Sequence, residues 1–225
     1  MGASAVVAEL PELVVRRVSV SSFDNNVYLI TVRATGAQVL IDAADEPDTI
    51  LALIAAGAAD VADPAVPARL AAIVTTHSHH DHIRALRAIA TATHAATLAG
   101  ADDAAAIERA TGVTLTRRLG HGDTLDVPGQ TFGFVHLRGH TPGSVTLVAE
   151  NRGAPTQLFT GDALFPGGVG NTDHDPARFA QLFGDVSRRL FDVFRDDAQV
   201  WPGHGAPTTL GAERPHLGEW EARGW

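Results

Sequence analysis

The stretch Leu70-Ala71-Ala72-Ile73-Val74-Thr75-Thr76-His77-Ser78-His79-His80-Asp81-His82-Ile83-Arg84-Ala85-Leu86-Arg87-Ala88-Ile89 decides how the rest of the chain is read. It opens on an apolar run of strand length and closes on a helical pattern, so strand, loop and helix are expected in that order. Imidazoles and a carboxylate crowd the loop between them. Side chains of this kind packed together repel one another or leave polar atoms unpaired unless a positive charge sits among them. One metal ion, or a pair, is the expected occupant.

Upstream, residues 13–20 and 27–32 are β-branched and partly alternating, and Phe23-Asp24-Asn25-Asn26 between them reads as the turn of a hairpin. A third strand over 38–41 ends at Asp42. Residues 46–56 carry Ile50, Leu51, Leu53 and Ile54 at helical spacing and stop at Gly57, a C-cap candidate. Residues 60–67, with two prolines, form a connection. Downstream, a buried run near 96–98 precedes a helix over 102–110 that Gly112 breaks. A turn at 122–125 leads to strands over 131–137, 144–149 and 157–160. A helix from Pro176 to about 194 has the stripe Phe179, Leu182, Phe183, Val186 and Leu190, and residues 199–201 form a last strand. Strands and helices alternate through much of the chain, which predicts an α/β fold. No linker divides it, so a single domain over residues 1–225 is expected.

Three further strand ends bear metal-capable side chains beside glycines: Gly139-His140-Thr141-Pro142-Gly143, Gly161-Asp162, and Pro202-Gly203-His204-Gly205. Glycine allows close backbone approach, and ligands in α/β folds gather beyond strand ends. With His80 pointing away, the donors are His77, His79, Asp81, His82, His140 and His204, with Asp162 as a seventh. Such a nitrogen and oxygen set suits two borderline divalent ions with one carboxylate shared, and leaves a position open for water. Paired ions of this kind stabilise hydroxide at neutral pH and polarise a carbonyl or phosphoryl oxygen, so the class is metal-assisted hydrolysis. His80 is expected to face solvent or to support the site from behind the donors, and His94, His121, His136, His174 and His216 are expected in surface or structural roles, with His136 also a candidate to support the site.

Composition narrows the field. Of 225 residues, 45% are hydrophobic and 19% charged, as in an ordinary globular protein. All 17 basic residues are Arg, and the formal net charge is −9. No basic stripe suits a nucleic acid, so a small molecule is the expected partner. The absence of Cys removes disulfides, thiolate ligands and a Cys nucleophile. The amino-terminal residues lack a basic region and meet Glu9, Pro11 and Glu12 early, and no apolar run spans a bilayer. Those features lead to an expectation of a cytoplasmic protein with no membrane partner. Self-association into a homo-oligomer stays open.

The segments HSHHDH, GHTPGS, TGDALF and PGHG resemble the successive metal motifs of the metallo-β-lactamase superfamily, in the family's order and over nearly the whole chain. The resemblance implies a four-layer αβ/βα sandwich, two mixed β-sheets with helices on the outer faces and the metals at one edge. It assigns His77, His79 and His140 to the first metal, Asp81, His82 and His204 to the second, and Asp162 to the bridge. Zinc is the implied metal, with iron or manganese as alternatives. A β-lactamase is not expected, because the absence of Cys excludes the lactamases that use a Cys ligand and Asp162 as bridge is not the pattern of the Cys-free ones. GHTPGS, the GD-x-LF segment and the glycine-rich residues after it resemble the glyoxalase II group, the hydroxyacylglutathione hydrolases, and Thr208-Thr209-Leu210-Gly211-Ala212-Glu213 resembles its short members. The implied reaction is hydrolysis of a small acyl thioester by a metal-bound hydroxide that Asp81 helps orient as it ligates. Alternatives are a mononuclear-iron persulfide dioxygenase, a lactonase or phosphodiesterase, and, outside enzymes, a metal-binding regulatory module. The chain closes soon after His204, so the basic helical extension that grips glutathione in full-length relatives is not expected. Trp220 and Trp225 in the tail are expected to pack on the sandwich or a second subunit, or to wall the substrate pocket.

Overall fold

The computed structural model describes residues 4–224. A seven-stranded sheet is assembled in sequence order from β1 (Ala5–Glu9), β2 (Leu13–Val20), β3 (Asn25–Val32), β4 (Ala37–Ile41), β5 (Arg69–Thr75), β6 (Ala96–Gly100) and β7 (Arg117–Leu119). The strands β1 to β4 pair antiparallel and β4 to β7 pair parallel, so the sheet is mixed. The second sheet holds β8 (Thr124–Val127), β9 (Gln130–His136), β10 (Val145–Ala149) and β11 (Gln157–Gly161). A hairpin of β12 (Leu164–Phe165) and β13 (Gly168–Val169) stands apart, and β14 (Gln199–Pro202) and β15 (Thr208–Thr209) complete the second sheet in the order β15-β14-β11-β10-β9-β8. Helices α1 (Pro47–Ala56), α2 (Leu86–Thr93), α3 (Ala101–Thr111), α4 (Pro176–Val186), α5 (Leu210–Glu213) and α6 (Leu217–Arg223) connect them.

Side-chain alternation with period two decides the layers. In β3, Tyr28, Ile30 and Val32 turn inward to meet Phe132, Phe134, Leu147 and Phe159 of the other sheet. Val27 and Leu29 turn outward, into a layer with Ile50 and Leu53 of α1, Ile89 of α2 and Ile107 of α3. The second sheet repeats the pattern, with Val135, Val148, Leu158 and Val200 outward against Leu182 and Val186 of α4 and Trp220 of α6. The central strands β3, β4, β10 and β11 are buried on both faces, which is why they read as largely apolar runs. The result is the αβ/βα sandwich of two mixed sheets that the sequence motifs imply. No helix among the described residues is long and apolar enough to cross a membrane.

Several local expectations are corrected. Asn25 and Asn26 belong to β3, not to the hairpin turn, because both side chains find buried partners: Asn25 bonds Asp81, and Asn26 bonds the Pro202 carbonyl. The helix after the His-rich loop begins at Leu86, with His80–His82 in a 3-10 turn before it. Gly57 does cap α1, in right-handed conformation with φ −64°, and the chain runs on from it as a 3-10 turn. The long helix from Pro176 is α-helical to Val186 and then widens into a π-turn over Ser187–Phe191, closed by the Asp192 amide on the Ser187 carbonyl at 2.9 Å. β8 begins at Thr124, within the segment read as a turn. Strands β1 and β7 were not foreseen, being short and largely exposed.

Trp220 is buried beneath the outer layer, edge-on to Phe191 at 6.2 Å between ring centroids. The tail therefore packs on the sandwich through this residue. Trp225 lies outside the described residues.

Candidate metal centre

Loops leave β5, β9, β11 and β14 at one edge of the sandwich, and each carries one or more of the side chains singled out in the sequence. Ligand atoms of His77, His79 and His140 lie within 4.8 Å of one another, and so do those of Asp81, His82 and His204. A third trio, His77, His82 and Asp162, spans the two. Asp162 Oδ2 stands 3.8 Å from His140 Nε2 and 3.5 Å from His204 Nε2, and its Oδ1 is 3.5 Å from His82 Nε2. All seven predicted donors are thus brought together, with Asp162 between the two trios.

The hydrogen bonds on the far side of each ring settle which nitrogen carries the proton. His140 Nδ1 lies 2.8 Å from the Asn171 carbonyl, and His204 Nδ1 lies 2.8 Å from the Phe23 carbonyl. A carbonyl only accepts, so both Nδ1 atoms donate and both Nε2 atoms hold a lone pair. His82 Nδ1 donates to Asp42 Oδ2 at 2.8 Å. Thr76 Oγ1 gives its one proton to the same carboxylate oxygen, also at 2.8 Å, and accepts from His77 Nδ1 at 3.0 Å. Four imidazoles therefore aim lone pairs inward. His82 Nε2 and His204 Nε2 face each other at 3.1 Å, a separation that two lone pairs tolerate only with a proton or a cation beside them. His77 Nε2, His140 Nε2 and Asp162 Oδ1 are buried without a hydrogen-bond partner among the described residues. Orphaned buried donor atoms converging from separate loops, nitrogen and oxygen in kind, fit a pair of borderline divalent cations.

Electrostatics follow the same plan. Burial drives His77 well below its ordinary pKa, and the neighbouring imidazoles push it the same way, which keeps the ring neutral and able to coordinate. Burial also lowers His140. At His82 burial works downward, but Asp42 and Asp162 on either side overcome it and raise the ring to about 10. Burial works to raise Asp81 and Asp162. The Asn25 amide and His82 outweigh it at Asp81, and His82 and His204 outweigh it at Asp162, so both carboxyls stay below the ordinary range.

Three residues that hold the donors were not recognised in the sequence. Asp42 sits at the end of β4 with φ +58° and accepts from the Thr76 amide at 2.7 Å as well as from His82 and Thr76 Oγ1. Asn25 donates to Asp81 Oδ2 at 2.8 Å and approaches His204 Nε2 at 3.3 Å. Asp103, buried in the first turn of α3, accepts from Ser78 N, Thr141 Oγ1 and Gly143 N at 2.8, 2.6 and 2.8 Å and so ties the loop after β5 to the loop after β9. A carboxylate directly after an apolar strand was the available signal for Asp42; nothing local marked Asn25 or Asp103. Gly203 packs so closely that a Cβ there would run into the Asp162 carboxylate and the His82 ring. His80 points away: it is exposed and accepts from Arg84 Nε at 3.1 Å. His136 donates to the Pro142 carbonyl at 2.8 Å, which braces the loop that carries His140. A cavity of about 730 Å³ opens beside His79 and His140, and none of residues 214–224 lines it. That leaves Trp220 out of the pocket wall.

Known proteins resemble the chain over most of its length. The family described as the metallo-beta-lactamase superfamily matches residues 22–218. The chain is similar to hydroxyacylglutathione hydrolase GloC of Haemophilus influenzae, 36% identical over 93 residues that cover 41% of this chain and 42% of that protein. It is similar over a longer span to the hydroxyacylglutathione hydrolase of Anaeromyxobacter dehalogenans, 35% identical over 199 residues, 80% of this chain and 61% of that one. Both matches thus span less than two thirds of the relatives' own length. Among solved structures, that of TTHA1623 in a di-iron-bound form superposes with a TM-score of 0.64 at 31% identity, covering 88% of this chain and 96% of that one.

Proposed function

We propose, from the premise that the chain belongs to the metallo-beta-lactamase superfamily, that it is a metal-dependent hydrolase of the glyoxalase II-like kind acting on a small acyl thioester. The observation that carries the proposal is the set of inward lone pairs with one carboxylate, Asp162, standing between two trios of donors. In this reading His77, His79 and His140 hold one ion, Asp81, His82 and His204 a second, and Asp162 is shared. The similarity to two hydroxyacylglutathione hydrolases supports the thioester, and the di-iron form of TTHA1623 supports a pair of ions. Zinc is the expected metal, and that relative makes iron the alternative to test first.

When bound, such ions would activate a water at neutral pH and polarise an acyl carbonyl. The chain's own residues do the rest. Asp42, the Thr76 hydroxyl and the Asn171 and Phe23 carbonyls keep the four ring protons on Nδ1. Asp81, anchored by the Asn25 amide, orients the attacking water. The water oxygen joins the acyl carbon and the C–S bond breaks, giving a carboxylate, and both water protons pass to solvent. Sulfur leaves as a thiolate, a good leaving group that lessens the need for a general acid. The reading treats residues 1–225 as one domain that meets a small-molecule substrate and neither nucleic acid nor membrane.

Elemental analysis of the purified protein, alongside turnover of a panel of acyl thioesters, lactones and phosphodiesters, tests the proposal. Two ions per chain with thioester hydrolysis is the expected result. Two ions without turnover of any thioester would remove the substrate assignment, and a single iron with oxygen consumption would replace hydrolysis with the dioxygenase alternative.

A further inference from the structure

The cavity beside His79 and His140 has a charged wall that hydrolysis of a thioester does not by itself require. Arg138, two residues before His140, lines it together with Arg178 and Gln181 of α4, Pro142 and Asp102. Behind Arg138 lies Asp185, fully buried, which accepts from Arg138 Nε at 2.8 Å and Nη2 at 3.0 Å. The same carboxylate is approached by Arg189 Nε at 3.6 Å and Arg188 Nη2 at 3.7 Å. One carboxylate shared by three guanidinium groups leaves two positive charges without a counter-charge at that point. Two more acids bear on this wall. Asp173 pairs with Arg178, and Asp102 is 61% exposed at the rim, 3.9 Å from His136 Nε2. Among the Asp and Arg side chains that line the cavity, Arg138 and Arg178 stand against Asp102 alone, in a chain whose formal charge is −9.

Geometry makes Arg138 the residue through which that charge is presented. Its Nε and Nη2 edge is held by Asp185, which fixes the plane of the group, and its side chain is 41% exposed. No partner for Nη1 is assigned among the described residues. A guanidinium with one edge fixed and the other open is arranged for a planar anion, and the fork matches a carboxylate. Pro142 and Ala177 add apolar surface to the same lining. Arg178 is spent differently, donating from Nε to the Gly139 carbonyl at 2.9 Å and from Nη2 to the His140 carbonyl at 2.6 Å, so it braces the loop instead of offering a free edge.

We propose that this cavity binds a carboxylate carried on one arm of the substrate, with Arg138 as the specificity-determining residue. Thioesters are chosen as probes because of the function proposed for the metal centre; the carboxylate site does not depend on that function. Three substrates separate the arms: S-acetyl-N-acetylcysteamine, neutral throughout; S-succinyl-N-acetylcysteamine, with the carboxylate on the acyl side; and S-acetylglutathione, with carboxylates on the thiol side. For the metal-loaded enzyme, kcat/KM for one carboxylated substrate relative to the neutral one is expected to fall about tenfold in Arg138→Gln, chiefly through KM, and to recover in part in Arg138→Lys. A fall confined to the succinyl substrate places the site on the acyl arm, and one confined to the glutathione substrate places it on the thiol arm. Ratios unchanged in Arg138→Gln would overturn the proposal. Should that variant fail to fold, the wild-type ratio must shrink as salt is added, and a salt-independent ratio would overturn the proposal equally. If the wild-type enzyme turns over none of the three, the hydrolase reading fails while the site remains testable. Calorimetric titration with S-hexylglutathione against its dimethyl ester, and with succinate against succinamide, should then show in at least one pair a preference for the free acid that Arg138→Gln abolishes, and equal binding within both pairs would overturn it.

Discussion

The side chains on the loop after β5 and those arriving from the loops after β9, β11 and β14 face the same space, yet they are held by different means. His77, Asp81 and His82 are neighbours in sequence, and one carboxylate, Asp42, fixes the first and last of them through Thr76 and Nδ1. His140, Asp162 and His204 come from three loops, and the two imidazoles are oriented by carbonyls at Asn171 and Phe23, in segments distant from them. Arg178 on α4 grips the Gly139 and His140 carbonyls, and Asp103 on α3 stitches the two loops together. The contiguous half is set by local geometry and one buried acid, whereas the dispersed half depends on packing between layers. The dispersed half should therefore be the more sensitive to changes outside the donor set.

The sharpest way to break the comparison is to remove the one residue that joins the halves. Asp162→Ala is expected to drop the bound metal below two ions per chain and lower kcat/KM by more than about 100-fold, beyond the usual cost of losing an outer-shell partner. Elemental analysis with steady-state kinetics reads both. Next in size is Asp42→Ala, which frees His82 and Thr76 together. Metal affinity, measured by competition with a chelator, should fall about 10- to 100-fold. Asp103→Ala cuts the stitch between the halves and leaves the Ser78 and Gly143 amides and the Thr141 hydroxyl short of a partner. It should cost about 3 kcal/mol in chemical denaturation, since unpaired buried polar groups each cost about 1–3 kcal/mol. Loss of occupancy at both metal positions in equal measure would argue that the stitch serves stability alone.

The smallest effect compares two acids, one beside each half. Asp45 is held below its ordinary value of 3.8 by the Arg84 hydrogen bond next to the contiguous loop. Burial works to raise Asp185, and the Arg138 bonds outweigh it, so this carboxyl also lies below 3.8. A depressed folded-state pKa contributes stability that is present above the unfolded value and is lost as pH falls through the folded one. Acid should therefore weaken both pairs below about pH 4. Asp185→Asn should flatten the fall of Tm with decreasing pH more than Asp45→Asn, because Asp185 is buried and Asp45 is partly exposed to solvent screening. Equal flattening by the two variants would remove the distinction between the halves at this level.

Residue identity and spacing by themselves determined the α/β class, which seven side chains to look for at one edge of the sandwich, and the exclusion of thiolate chemistry. The reason is that strand ends, glycines and clustered imidazoles are local signals: each can be read within a few positions of itself. The same locality explains what was missed. Asn25 looked like part of a turn because turn propensity is local, whereas its place in β3 follows from Asp81 and from His204, 179 residues away. Asp103 lay unremarked within the helix expected over 102–110 until the fold set it against Ser78, Thr141 and Gly143. Which nitrogen of each histidine carries the proton, where Asp162 stands between the trios, and why Arg138 keeps an open edge were decided only by tertiary structure. A lone pair's direction depends on the partner across the ring, and those partners sit in other loops.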